Sequence, residues 1–530
     1  MALPRLLPEQ PDDTTLRTDS VLFAVYAPFG GDEVLSTYPE GSSQTLAQHP
    51  LVQGLFKVAA QGIHVAALID RAGDDTWLLE IEAGKPAEAK VTSRWKQDMA
   101  APANLAGFLR HAHQSRPSSA IVLALEGHGA GYLPEIDRRQ LTLANVTENG
   151  RFEWHLNGTT GGSPVLPAGS PLLPAGSPLL PAGSPLLPGG PMPLSTWGLG
   201  AALKAALDAG VPKLAVIHFD NCFNMSAEVL HTVAPYAEYA TGYPNYNFFT
   251  AGEGYPAVFT QLAQQGTATS KELARAFAKG NEKILEAKGN HPTLGCTVRL
   301  ARMKDITERL DDLADALLDA LRSPPPHSQA RAAVVQEIGK AIVQAQQFDT
   351  EAGYRLETPD QLTDLASFAD ALLAHDFRAH SGVHRCAKTL KDALVGIKVY
   401  GSPEEQPWVA AGTNITWDFS ADALAMNIFL PDPLLRGQWD WRSPYYLDIN
   451  PDPNKPRVQP HIIDFVKVTD WVDFIIEYHR ESQEPVRLLP ARIPQFPVFN
   501  ASFDPKKYPP PPPCGRGKPG GKPGGGATAA

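Results

Sequence analysis

Over the first 240 residues the apolar positions come in short unbroken runs, whereas beyond residue 270 they recur every three or four positions. VLFAVY (21–26), GIHVAALID (62–70), IVLAL (121–125) and KLAVIHF (213–219) are such runs, each followed closely by Gly or Asp. Short continuous apolar runs bounded by turn residues predict strands buried on both faces. TWLLEIE (76–82), after a Gly-Asp-Asp turn at 73–75, predicts an edge strand. Helices are predicted over 103–114, where Leu105, Phe108 and Leu109 share a face, over 195–210 and over 225–233. The second of these has Ser195 or Thr196 to cap it and Gly210 to stop it. Strands alternating with helices imply a parallel sheet with right-handed crossovers, whose ligands bind beyond the carboxyl ends of the strands.

Helical spacing then covers 270–287, 303–322, 328–347 and 361–375, interrupted by SPPPH at 323–327. Apolar runs return at 393–400, 423–430 and 462–468 before a closing helix near 470–479. The expected organisation is an α/β domain over 20–265 after a lead at 1–19. A helical and mixed domain follows over 266–500, with a tail at 501–530. Residues 164–191 read PVLPAGS PLLPAGS PLLPAGS PLLPGGP. The seven-residue period is no coiled coil, because two prolines per unit break a helix; an extended, polyproline-like insertion is expected. The tail, with five prolines before Cys514 and then GRGKPGGKPGGG, has the composition of a disordered segment. Together these tracts absorb much of the proline excess, 50 residues in 530.

Charge narrows the partners. Lys and Arg total 46 against 57 Asp and Glu, a formal net charge of −11. Nucleic acid, which demands a positive surface, is therefore not an expected ligand. The four cysteines, Cys222, Cys296, Cys386 and Cys514, make no CxxC pair and are too sparse for a disulfide framework. The start lacks the apolar core of a secretion signal, and no stretch is long and apolar enough to span a bilayer. A cytoplasmic protein with no membrane partner is expected.

Two reactive side chains fall just past strand ends. IVLAL runs into Glu126, Gly127, His128 and Gly129; KLAVIHF runs into Asp220, Asn221 and Cys222, ahead of the helix at 225–233. A cysteine at a helix N-terminus is a ready nucleophile, since backbone N–H groups favour its thiolate. His128 can move protons, and the N–H groups of Gly129 and Cys222 could form an oxyanion hole for acyl transfer. The plainer alternative is that Cys222 is a small buried hydrophobe. His218 lies within its strand and reads as a core or edge residue. His375, His380, His384 and Cys386 match no zinc spacing, so no metal is expected there.

IVLALEGHGAGY (121–132) resembles the "apolar strand, acid, His-Gly-x-Gly-aromatic" motif of the clostripain-like cysteine peptidases of the caspase fold. VIHFDNCFNMSAE (216–228) resembles that family's D-x-C-x-M-x-x-x-E motif, with Asp220, Cys222, Met225 and Glu228, the Met one position later than usual. AEYATG (237–242), GEGY (252–255) and NIFLP (427–431) resemble further family segments. The resemblance implies a caspase-like, mostly parallel sheet flanked by helices. It implies that Cys222 attacks the scissile carbonyl, that His128 serves the leaving amine, and that Asp220 lines a pocket for Arg or Lys. It further implies protein substrates, no required cofactor with calcium left open, and a zymogen cut in the linker between His128 and Cys222. Family analogy also suggests a place in a bacterial defence or cell-death cascade. No Lys or Arg occurs from 152 to 203. An enzyme needing a basic residue therefore cannot cut the 164–191 repeats, so an upstream activating protease is expected there. Self-processing would have to use Arg138, Arg139 or Arg151. Two rival readings are a catalytically silent caspase-fold adaptor and a cysteine hydrolase of small amides.

Overall fold

A computed structural model describes residues 13–29, 46–71, 75–95, 99–117, 119–127, 129, 131–133, 135, 194–245, 247, 252–289, 294–348, 362–401, 408–409, 416–417, 424–430 and 461–482. His128, Arg138, Arg139, Arg151, the 164–191 repeats and the tail with Cys514 lie outside them.

The unbroken apolar runs form the middle of a nine-stranded sheet. These are β1 (Val21–Pro28), β2 (His64–Arg71), β5 (Ala120–Glu126) and β6 (Leu214–Asp220), joined by β7 (Ala237–Gly242), whose AEYATG is no unbroken apolar run. They lie parallel in the order β7-β6-β5-β1-β2. Antiparallel wings extend both sides: β3 (Asp75–Ile81) and β4 (Lys90–Trp95) beyond β2, β8 (Cys296–Arg299) and a further strand at Lys398–Gly401 beyond β7. The edge expected at 76–82 is thus one strand further out. KVTSRW in β4 is mostly polar, with Lys90 and Arg94 on an edge that needs charge to stay unpaired, and offers no continuous run to detect.

Successive residues of β1 face opposite ways and feed two cores. Leu22, Ala24 and Tyr26 enter one; Val21, Phe23, Val25 and Ala27 enter the other. The first core is covered by α2 (Pro102–Ser115), α3 (Thr196–Asp208) and α4 (Ala227–Val233). The second is covered by α1 (Pro50–Ala60), α5 (Tyr255–Gln265) and α6 (Ser270–Gly289). Ser195 caps α3, accepting the Gly198 N–H at 2.8 Å, and Gly210 follows its end at φ +91°.

The stretch from 266 onward shares this architecture. It supplies β8 and the Lys398–Gly401 strand to the same sheet, and its helices α7 (Met303–Arg322), α8 (Gln329–Gln344), α9 (Leu365–Ala374), α10 (Ser381–Ile397) and α11 (Trp471–Glu481) add to the first core. Leu310, Leu317, Phe368, Leu390, Leu394, Trp471 and Ile475 are all buried there, so no break between cores falls at 265/266. Helix α10 went unseen in the sequence because its charged residues dilute the apolar stripe of Val383, Leu390, Leu394 and Ile397. A small antiparallel ladder joins β9 (Leu362–Asp364) to β11 (Asn427–Phe429), β10 being the Lys398–Gly401 strand. No described helix is long and apolar enough to cross a membrane.

Candidate active site

The parallel register places the ends of β5 and β6 side by side, Leu125 opposite Phe219 and Glu126 opposite Asp220. Past β5 the chain turns through Gly127 at φ +104°, a conformation that L side chains rarely adopt. Gly129 then lies against the loop after β6. A Cβ at that position would fall 2.1 Å from the Cys222 carbonyl oxygen and 2.9 Å from Asn221 Oδ1. Only a glycine permits this approach. His128 is outside the described residues, between two glycines of which one touches the Cys222 main chain. Gly129 and Cys222, the two expected oxyanion donors, are thereby adjacent.

The Cys222 loop is held by a set of amides. Asn221 donates to the Leu125 carbonyl at 3.2 Å and receives Asn224 Nδ2 at 2.7 Å, tying this loop to β5. Phe223 sits at φ +61°, its N–H on the Asn245 carbonyl at 2.9 Å. Asn427, distant in sequence, donates its side-chain amide to the carbonyls of Phe223 (2.8 Å) and Pro244 (2.7 Å), and its main-chain N–H to Met225 O (2.9 Å). Glu228 accepts the Phe429 N–H at 3.0 Å. The acid of the second motif therefore anchors β11 to the Cys222 loop.

One expectation needs correction. Helix α4 begins at Ala227 and is capped by Ser226, which accepts the Val229 N–H at 3.2 Å. Cys222 stands five residues before that start, and Asp220 does not cap the helix. The left-handed turn at Phe223 separates strand from helix, so no helix terminus favours a thiolate. Burial instead pushes the Cys222 thiol up to about 12, against the lowering effect of the Asn247 N–H. That N–H donates to Sγ at 3.3 Å, and the thiol reaches the Asn247 carbonyl at 3.3 Å.

Below lies a sealed acidic pair. Asp220 is 3% exposed. Its Oδ1 accepts Asn247 Nδ2 at 2.7 Å and its Oδ2 accepts the Tyr255 hydroxyl at 2.8 Å, with His218 Nε2 3.8 Å away. The Tyr255 hydroxyl also meets Glu126 Oε1. Burial and the neighbouring Asp220 charge push the Glu126 carboxyl well above its ordinary value. Burial acts on Asp220 too, yet His218, Tyr255 and Asn247 outweigh it and hold this carboxyl below its ordinary value. These opposite directions favour Glu126 over Asp220 as the holder of a proton in the pair. His218 is fully buried, stacked on Phe277 at 4.5 Å, a core position as its place in the strand implied.

Glu126, Asn247, Tyr255 and Asn427 were not singled out from sequence. Glu126, Tyr255 and Asn427 sit inside the quoted motifs IVLALEGHGAGY, GEGY and NIFLP; Asn247 carries no local signal. Elsewhere, His375 pairs with Glu337 at 3.3 Å and His384 meets the His375 carbonyl at 2.9 Å. Among the described residues no group of three or more His, Cys, Asp or Glu is placed to hold a metal ion.

A model of the clostripain family matches residues 199–477, a span that contains Cys222. Comparison with curated proteins finds no match. Among solved structures the chain is similar to a secreted C11 cysteine protease from Bacteroides thetaiotaomicron, in complex with an irreversible peptide inhibitor. The two are 14% identical with a TM-score of 0.51, over 86% of this chain and 99% of that one. An inactive zymogen C11 protease from Parabacteroides distasonis is 12% identical with a TM-score of 0.45, over 81% and 97%. The mixed nine-stranded sheet between two helical layers is accordingly a caspase-like fold.

Proposed function

Because the chain belongs to the clostripain family and is a cysteine peptidase, we propose that it is an endopeptidase cutting proteins after Arg or Lys, with Cys222 as nucleophile and His128 as its proton partner. The Cys222 thiol gives its proton to His128 and the sulfur adds to the scissile carbonyl carbon. The carbonyl oxygen then takes negative charge opposite the N–H groups of Gly129 and Cys222. His128 returns the proton to the leaving nitrogen as the C–N bond breaks. Water then releases the acyl group from sulfur by the same route in reverse. This thiol–imidazole chemistry needs no cofactor.

The observation that carries the reading is the seating of Gly129, next in chain to His128, on the main chain of Cys222. Asp220, two residues before the nucleophile, supports the choice of substrate. A buried carboxylate favours a guanidinium or ammonium, which answers it with several charged donors. The absence of Lys and Arg from 152 to 203 supports a zymogen whose repeat insertion at 164–191 is cut by another protease. A cytoplasmic place in a bacterial defence or cell-death cascade extends the reading, with family analogy as its support.

The test is a set of fluorogenic peptides differing only at the residue before the cut, with Cys222→Ala and His128→Ala proteins alongside. Cleavage restricted to Arg and Lys, and lost in both variants, is the expected result. Equal turnover after Leu and Arg would sink the specificity, and wild-type turnover by Cys222→Ala would sink the mechanism.

A further inference from the structure

We propose that Asn247 is a pseudo-substrate residue, occupying the nucleophile with its main chain and the specificity carboxylate with its side chain, and that a substrate must displace it from both. The inference rests on the reading of Cys222 as nucleophile and of Asp220 as the basic-residue acceptor.

Three observations carry it. The Asn247 N–H and carbonyl both lie 3.3 Å from Cys222 Sγ, so one peptide unit on each side of this residue covers the sulfur. A scissile carbonyl would have to approach along the same face. The Asn247 side chain runs the other way, its Nδ2 on Asp220 Oδ1 at 2.7 Å. A single residue thus has its main chain at the thiol and a side-chain N–H donor on the acid below, the arrangement expected of a bound Lys or Arg residue. Asn247 is 7% exposed and Asp220 3%, so while Asn247 is in place the carboxylate is shut off and the half-buried Cys222 is covered on the face that Asn247 occupies.

The third observation concerns strength. Asn247 Oδ1 is buried and accepts no hydrogen bond among the described residues. The assignment of oxygen and nitrogen is fixed by chemistry, since an amide oxygen turned to Asp220 would repel it. Asn247 therefore meets the carboxylate with one neutral donor and leaves its own acceptor unmet. A guanidinium offers five donors and a positive charge, an ammonium three, with no acceptor to satisfy. A basic side chain is thus the better partner for Asp220, and the occluding residue is displaced by the substrate class that the pocket selects. A purely structural role for Asn247, propping the Cys222 loop, predicts the opposite sign on reactivity when it is removed.

The experiment measures the rate at which iodoacetamide alkylates Cys222 in the full-length, uncut protein at pH 7.5, read by mass spectrometry on the Cys222 peptide. Wild type is compared with Asn247→Ala and Asn247→Asp, each checked for an unchanged melting curve, with and without agmatine as a guanidinium probe. Loss of one hydrogen bond to a charged group corresponds to roughly a tenfold or larger shift in an equilibrium. Asn247→Asp, which sets one carboxylate against another, should raise the rate about tenfold or more, and Asn247→Ala by a smaller factor. Agmatine should accelerate wild type and leave Asn247→Asp little changed. Rates in both variants at or below wild type would overturn the proposal, whatever agmatine does. Faster alkylation in the variants with no response to agmatine would uphold the occlusion and reject the basic-residue pocket. If Asn247→Asp melts early, the Asn247→Ala rate alone decides, since that substitution removes only the side-chain hold on Asp220 that keeps the main chain over the sulfur.

Discussion

At the scale of single residues the site turns on a glycine and a proton. Gly129 is the closest meeting of the two loops, and the atom opposite is a main-chain oxygen, which cannot swing aside. Gly129→Ala should therefore part the loops, lowering kcat/KM about a hundredfold, the usual scale for misplacing reacting groups by about 1 Å. It should also destabilise the fold by roughly 1–3 kcal/mol, as overpacking does. Peptide turnover and a melting curve measured on the same sample check both numbers. The proton is the one favoured on Glu126. Its carboxyl is raised in the fold, so its contribution is fully present below the unfolded value and is lost as pH rises through the folded one. Asp220 has the opposite sign: its carboxyl is lowered, so its contribution is present at neutral pH and lost only as pH falls through the folded value. Glu126→Gln, which keeps a neutral side chain of the same shape, should raise the melting temperature at pH 8. The gain should shrink towards pH 4, and a difference that stayed constant from pH 4 to pH 8 would assign the proton elsewhere.

At the scale of elements, the loop that carries Cys222 is held from outside the parallel strands. Strand β11 reaches it through Asn427, whose amide answers the carbonyls of Phe223 and Pro244, and through the Phe429 N–H on Glu228. Trp471 of α11 in turn donates its indole N–H to the Phe429 carbonyl at 3.0 Å. The far end of the chain thus fixes the turn at Phe223 whose φ of +61° aims Cys222 away from the helix axis. Asn427→Ala leaves two buried carbonyls unmet, at about 1 kcal/mol each, so stability should fall by roughly 2 kcal/mol. Turnover should fall with it, because the turn is no longer pinned. Asn427→Asp should be worse than Ala, since a carboxylate would face two carbonyl oxygens. A melting series ordered Asn, Ala, Asp from highest to lowest is the expected outcome, and an Asp variant as stable as wild type would deny Asn427 this role.

At the scale of the whole molecule the question is whether the repeat insertion holds the proposed zymogen silent. The repeat insertion at 164–191 joins the strand before His128 to the helix that precedes β6, and no basic residue lies between 152 and 203. Near-identical PLLPAGS units repeat one leucine-rich site several times, which makes cutting by a second protease robust to the loss of any unit. Replacing 164–191 by a Gly/Ser linker with an unrelated protease site should give a protein that gains peptidase activity when that site is cut. Full activity before cutting, with no gain after it, would make the insertion an inert spacer. Asn247→Asp in the same background separates two brakes: a linker that acts through Asn247 adds nothing once Asn247 has been displaced.

The runs of continuous apolar residues were enough to set the parallel strands, because a strand buried on both faces has no other way to be written. Helix α7, expected over 303–322, spans Met303–Arg322, since its leucines keep a clean stripe over five turns. The two strands that lead to His128 and Cys222 were likewise legible, and their ends lie side by side because the sheet pairs them. Strand β4 and helix α10 were not, because an edge strand and a charged surface helix dilute the pattern that burial would impose. Nor could spacing place Asn247 on Cys222 and Asp220, or Asn427 on the turn at Phe223. One is a polar loop residue and the other opens a three-residue strand, 25 and 204 positions from the groups they hold. Their roles exist only once the sheet has closed and left particular carbonyls, one thiol and one carboxylate without water, so that each must find its partner inside the fold.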